Sequence, residues 1–141
     1  MGERFPLSLS AVNVVCFKLD WDEKALKVLL IKRNITPHKN KWSLPGGFVQ
    51  ENEKLEEAAV RIFAKETGIA PNYINQFRTY SDTGRDKRPV NEEKVRVITT
   101  SFIAIYTSSE EPVLTEESSD YEWFKVPVSY THLTLPTICS V

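Results

Sequence analysis

Residues 45–69 read PGGFVQENEKLEEAAVRIFAKETGI, and this stretch decides the fold. Leu55, Ala58, Ala59, Ile62, Phe63 and Glu66 recur at i, i+3, i+4, i+7, i+8 and i+11. That spacing lays one stripe along a helix, apolar except at its C-terminal end. Glu57 and Arg61 stand four apart in the favourable order for a helical ion pair. Gly68 is a natural stop, because a residue without Cβ takes positive φ without strain. Ahead of the helix, Gly46-Gly47 lets backbone come close to another group, although as a bare dipeptide it marks only a turn. Glu51, Glu53, Glu56 and Glu57 crowd the helix start, where the dipole favours acidic side chains whatever the protein does.

The same stretch resembles the Nudix box, whose signature runs Gly, five residues, Glu, seven residues, Arg-Glu, an aliphatic, any residue, Glu-Glu, any residue, Gly, an aliphatic. Gly47, Glu53, Arg61, Glu66, Gly68 and Ile69 fall on motif positions. Two positions depart from it. Ile62 stands where the family has the Glu after the Arg, and Lys65 stands where it has the first Glu of the pair. Nudix enzymes cleave a pyrophosphate in a nucleoside diphosphate linked to another group, with Mg2+ or Mn2+ on the phosphates. Such hard cations take oxygen ligands. Positions 62, 65 and 66 share one helix face. Three glutamates there would sum to −3, whereas Ile62, Lys65 and Glu66 sum to zero. The expectation is a crippled metal site in which Glu66 alone holds an ion weakly. The resemblance also implies that Glu53 and Arg61 brace the loop against the helix, so that the box keeps its scaffold and loses its chemistry.

Composition narrows the class. With 141 residues, 26% charged and 41% hydrophobic, the chain is one globular domain with a real core. A formal net charge of −1 supplies no general attraction to nucleic acid or acidic membrane. No apolar run has the length to span a bilayer and no signal-peptide pattern opens the chain. Two cysteines, Cys16 in an apolar run and Cys139 near the end, make no disulfide framework, so a cytoplasmic location is expected.

Outside the box the chain reads mostly as strands. Leu7–Leu19 and Ala25–Lys32 flank a polar turn, Asp20–Lys24, as a hairpin does. Asn34–Lys41 is a loop, and further strands are expected at Tyr73–Tyr80, Val95–Thr107 and Tyr121–Val126. The order indicates an α/β protein, and with the resemblance a Nudix α/β/α sandwich built on a mixed sheet. Residues 128–141 carry no Asp, Glu, Lys or Arg and no helical period. They resemble translated sequencing-adapter read-through. The expectation is a Nudix domain over 1–127, an authentic chain stopping near Val128, and a second covering helix lost with it.

A second informative stretch is Tyr80-Ser81-Asp82-Thr83-Gly84-Arg85-Asp86-Lys87-Arg88-Pro89. On composition it is a solvated, turn-rich loop. It resembles the loop Phe-Gly-Asp-Pro-Gly-Arg-Asp-Pro-Arg of ADP-ribose-handling Nudix proteins, which makes Asp82, Arg85 and Arg88 ligand-binding candidates. The planar guanidinium fork suits phosphate, and Asp82 or Asp86 would fix the arginines or accept ribose hydroxyls. Arg33, Gly46 and Gly47 complete the expected phosphate-facing set. Trp42 reads as core packing.

Two functions follow from the resemblance. The first is a sensor domain that binds ADP-ribose or a similar nucleotide, as in Nudix-related transcriptional regulators. DNA would then be reached only through a separate C-terminal domain, and residues 1–127 alone are expected not to bind operator DNA. The alternative is an active ADP-ribose pyrophosphatase that recruits carboxylates from outside the box, with Glu92, Glu93, Glu116 and Glu117 as candidates. No membrane partner is expected, and a homodimer is compatible with either function.

Overall fold

The computed structural model describes residues 5–34, 39–71, 73–107, 111–114 and 118–127. The expected break near Val128, Cys139, Glu116 and Glu117 lie outside them. Along the chain come β1 (Ser8–Asp20), β2 (Ala25–Arg33), β3 (Trp42–Ser43), β4 (Gly46–Phe48), α1 (Leu55–Thr67), β5 (Tyr73–Tyr80), β6 (Lys87–Val90), β7 (Glu93–Tyr106) and β8 (Ser118–Lys125). All eight strands join one mixed sheet, with α1 the helix of the described residues.

The centre of the sheet is a long parallel pair, β1 on β7, in register from Ser8↔Arg96 to Lys18↔Tyr106. Because β7 takes one edge of β1 along its length, β2 and β4 must share the other. β2 pairs at Phe17–Asp20 and β4 at Ala11–Asn13. By the same reasoning β1 and β3 share one edge of β2, since β8 takes the opposite one. The strands β1 and β2 therefore part as a fork, and residues 42–48 fill it, with β3 bound to one prong and β4 to the other. The Val14 N–H donates to the Pro45 carbonyl at 2.9 Å inside this fork.

The expected hairpin forms, with Asp20↔Ala25 at its end. Its turn is tied by Asp20 Oδ1, which accepts from the N–H groups of Asp22 and Glu23 at 3.0 and 3.1 Å. Lys27 Nζ spans Asp20 and Glu23 at 3.0 and 3.1 Å.

Both faces of the sheet are covered near its centre. Strand alternation sends Val12, Val14 and Cys16 to the α1 face, where they pack with Ala58, Ala59, Ile62, Phe63, Leu29 and Phe102. Burial there pushes the Cys16 thiol up to about 12, against the opposing charge of Lys18. On the opposite face Val15, Val28, Leu30, Leu44 and Val126 form a second apolar cluster, joined by Phe17, Trp42 and Phe124. Trp42 meets Phe124 edge-on at 5.3 Å, so it packs in the core as expected. A third, smaller cluster holds Ala11, Val97 and Leu9.

The loop expected to run to Pro89 is shorter than that. Its last residues, Lys87–Val90, form β6 and pair with β7 through the turn Asn91-Glu92. Both turn residues have positive φ, 49° and 69°, the combination that matches the twist of a two-residue hairpin. Glutamate is a poor left-handed residue. Glu92→Gly is therefore expected to raise stability by about 1 kcal/mol. A urea midpoint that stays put or falls would contradict this.

Candidate functional site

The helix begins after Lys54, which is extended and makes no side-chain cap, so Glu56 and Glu57 in the first turn carry the dipole compensation. It ends at Gly68, which has φ 72° and whose N–H donates to Ala64 O at 2.8 Å. The stripe read from the sequence is the buried face, with Ala58, Ala59, Ile62, Phe63 and Glu66 all inward.

The brace between loop and helix is present. Arg61 donates from Nε to Glu53 Oε2 at 2.6 Å and from Nη2 to Glu53 Oε1 at 2.9 Å. Nη2 also donates to the Phe48 carbonyl at 3.0 Å, and the Gln50 N–H donates to Glu53 at 3.0 Å. Arg61 thus turns away from Glu57, the partner expected from helical spacing, because a bidentate carboxylate matches its fork better. The bonds from Arg61, and then from the Gln50 N–H, hold the Glu53 carboxyl below the usual carboxylate range. Glu53 also raises the Arg61 guanidinium.

A lowered folded-state pKa gives stability that is complete above the unfolded carboxylate value and lost as pH falls through the folded one. Arg61→Met is accordingly expected to destabilise the domain at pH 7 and to lose part of its acid sensitivity below pH ~4. Urea midpoints measured at both pH values check this, and equal losses at the two would contradict it.

The three positions that would hold a metal do not fit one. Ile62 is 3% exposed and belongs to the main core, Lys65 is exposed, and Glu66 is 8% exposed. Positions 62 and 66 point inward while 65 stands at the rim. No group of three or more His, Cys, Asp or Glu able to hold an ion exists among the described residues. The Gly46-Gly47 pair is also not a turn but the strand β4, without positive φ at either residue. A Cβ on Gly47 would sit 3.0 Å from Ile62 Cδ1. The glycine here makes room for an isoleucine, so the group that comes close to its backbone is apolar and internal.

On the opposite side of β4 the arginine loop arrives. Arg88 is paired with Asp86 at 3.2 Å and places its guanidinium 5.8 Å from the centroid of Phe48, a ring 39% exposed. Arg85 donates from Nη2 to Thr99 Oγ1 at 2.7 Å and more weakly to Val97 O at 3.4 Å. Its own N–H donates to Asp82 O at 3.2 Å. Asp86 therefore fixes Arg88, while Asp82 acts through its backbone and leaves an exposed carboxylate. Arg88 is thus brought to Phe48 of β4, whose carbonyl Arg61 also holds, while Arg85 is fixed on β7 at Thr99. Arg33 lies at the end of β2. Its backbone closes the β2–β3 connection, donating to Lys41 O at 2.9 Å and accepting from the Asn40 N–H at 2.8 Å. Glu92 and Glu93, offered as outside carboxylates, lie exposed at the β6–β7 hairpin end.

Sequence reasoning passed over Phe48 and the buried polar residues Asn13, Thr99 and Ser101. The available signal was polar side chains interrupting apolar strands.

Comparison with known proteins agrees with this architecture. Residues 9–132 match the NUDIX domain. The ADP-ribose pyrophosphatase of Methanocaldococcus jannaschii is 47% identical over 66 residues, which is 47% of this chain and 39% of that protein. The ADPR responsive transcriptional repressor NtrR of Acinetobacter baylyi is 35% identical over 86 residues, 60% of this chain and 34% of that one. The chain thus matches well under half the length of either relative. Among solved structures, the NUDIX domain of Shewanella oneidensis NrtR complexed with ADP ribose superposes with a TM-score of 0.71 at 29% identity. That match covers 92% of this chain and 84% of that one. Nudix hydrolases use divalent metal ions, and no helix of the described residues is long and apolar enough to cross a membrane. With the box in register, its Glu53–Arg61 brace formed and the domain match spanning most of the sequence, the chain belongs to the Nudix family.

Proposed function

We propose that this domain binds a nucleotide of the ADP-ribose class and acts as a sensor, with hydrolysis weak or absent. The observation that carries the reading is Ile62 in the core beneath Gly47, with Lys65 beside it at the rim. Stabilisation of charge developing on phosphate is usually the largest catalytic term. An isoleucine and an ammonium at two of three ligand positions remove most of it. Glu66 is the one helix carboxylate left for an ion, and Glu53 and Arg61 serve as scaffold. Arg85 and Arg88, with Asp82 near them, are the proposed phosphate and ribose contacts. Support for the ligand class comes from the relatives named for ADP-ribose and from the ADP-ribose complex of the similar domain. In a regulator, the bound nucleotide would alter how this domain sits against a DNA-binding segment.

A second reading, an ADP-ribose pyrophosphatase, is favoured by one observation, the 47% identity to an enzyme of that name. Incubation with ADP-ribose and Mg2+ or Mn2+ separates the two, following AMP by chromatography and binding heat by calorimetry. Binding without AMP is the expected result. AMP formed at enzyme-like rates would overturn the sensor reading, and absence of binding heat would overturn the ligand class.

A further inference from the structure

The face of the sheet opposite α1 has an unexplained polar row. Its two apolar clusters, one around Val15 and Leu30 and one around Ala11 and Val97, are separated by Asn13, Thr99 and Ser101. All three are buried on the central strands β1 and β7, where alternation would otherwise place apolar side chains. Ser101 Oγ donates to Asn13 Oδ1, across the parallel register that sets these residues side by side. Thr99 Oγ1 is taken by Arg85. The Asn13 amide nitrogen makes no hydrogen bond among the described residues, although Asn13 is only 3% exposed. This nitrogen is not among the fully buried side-chain atoms without a partner, so it keeps some access to solvent.

The neighbours of this amide are those of a recognition site. On β4 the residue opposite Asn13 is Gly46, which brings no side chain. Two residues further, opposite Ala11, is Phe48, on the same face and half open to solvent. Arg88 lies over its ring and Arg85 is fixed at Thr99. Asn13 and Thr99, which holds the Arg85 guanidinium, thus sit on rows about 7 Å apart along the strands. That is comparable with the reach of a nucleoside from base edge to 5′ oxygen.

We propose that Asn13, oriented by Ser101, reads the nucleobase of the bound nucleotide, with Phe48 as its stacking surface and Arg85 toward the phosphates. The inference rests on the ligand reading above and deepens it. An Asn side chain that keeps one free N–H pair and one free lone pair on Oδ1 matches the amino donor and ring-nitrogen acceptor of adenine. It does not match hypoxanthine, whose 6-oxo group is an acceptor. Ser101 acts as a positioning residue, since its hydroxyl donates to Oδ1 and so sets which end of the amide faces the ligand.

The test is calorimetric titration of ADP-ribose and of inosine diphosphate ribose into the whole chain and its Asn13→Ala and Ser101→Ala variants. Wild type is expected to prefer ADP-ribose by about tenfold or more. Asn13→Ala should abolish that preference and Ser101→Ala should reduce it. Equal losses for both nucleotides in Asn13→Ala would show a merely structural role and overturn the proposal, as would an unchanged preference. Should the variants fail to fold, the side-chain amide resonance of Asn13 in the 15N-labelled wild type decides. Its shift on adding ADP-ribose supports the proposal and its constancy overturns it. Binding of ADP-ribose that ignores Asn13 leaves the sensor reading standing, whereas no binding by wild type removes both.

Discussion

Ile62→Glu is expected to lower the unfolding free energy by about 3–5 kcal/mol at neutral pH, the scale for an uncompensated charge left in a protein interior. The side chain is 3% exposed, packs with Phe63, Val12 and Val14, and lies against Gly47. A carboxylate there loses its water without gaining a partner, and the packing of the isoleucine is lost as well. Desolvation raises the folded pKa of the introduced carboxyl, so the charge penalty vanishes below the unfolded carboxylate range and grows as pH rises from there towards the folded value. Adding Lys65→Glu brings a second carboxylate beside Glu66. In that double variant, Mn2+ is expected to recover part of the lost stability by binding the folded state alone, and metal-dependent AMP release from ADP-ribose should appear or rise strongly. Urea melts with and without Mn2+ measure the first effect and chromatography the second. An unchanged midpoint for Ile62→Glu would mean that position 62 opens to solvent, which would remove the main argument against a metal site.

Gly68→Ala is expected to cost about 2–4 kcal/mol, from two separable sources. At φ 72° any L side chain is strained by about 1–2 kcal/mol. The added Cβ would also stand 3.0 Å from the Cβ of Val113, whose backbone N–H is anchored at 2.7 Å to Thr67 O and cannot easily retreat. Val113 is an exposed side chain, so Val113→Gly alone should be mild. In the Gly68→Ala background it should return the clash component and leave the φ component. Thermal or urea midpoints of the four proteins form the cycle. Simple additivity would show that the clash is absent and the loss is backbone strain alone.

How far the chain could be read in advance depended on the range of the interactions. The helix from Leu55 to Thr67, its inward stripe and its stop at Gly68 were legible because a helix is set by residues three and four apart. The β1–β2 hairpin was legible for the same reason, with its turn polar residues adjacent in the chain. The strand filling the fork, β4, was hidden by its two glycines, which favour turns when read locally. The hairpin β6–β7 was hidden by its Pro and Asn-Glu turn. Of the proposed site, the Glu53–Arg61 pair followed from motif spacing, while its choice over Glu57–Arg61 depended on a loop folding back onto the helix.

The sequence by itself determined the family register, the charge of zero at positions 62, 65 and 66, and hence the doubt over metal chemistry. Those properties belong to residue identity at fixed spacing and survive any packing. Tertiary structure alone decided that Ile62 fills the space Gly47 leaves, that Arg88 lies over Phe48, and that Asn13 meets Ser101. Each joins strands or a helix through burial on a shared sheet face. The last pair is separated by 88 residues, and only the parallel register of β1 on β7 brings it together. A local pattern specifies which side chains point the same way, but the partner on that face is chosen by how the whole sheet closes.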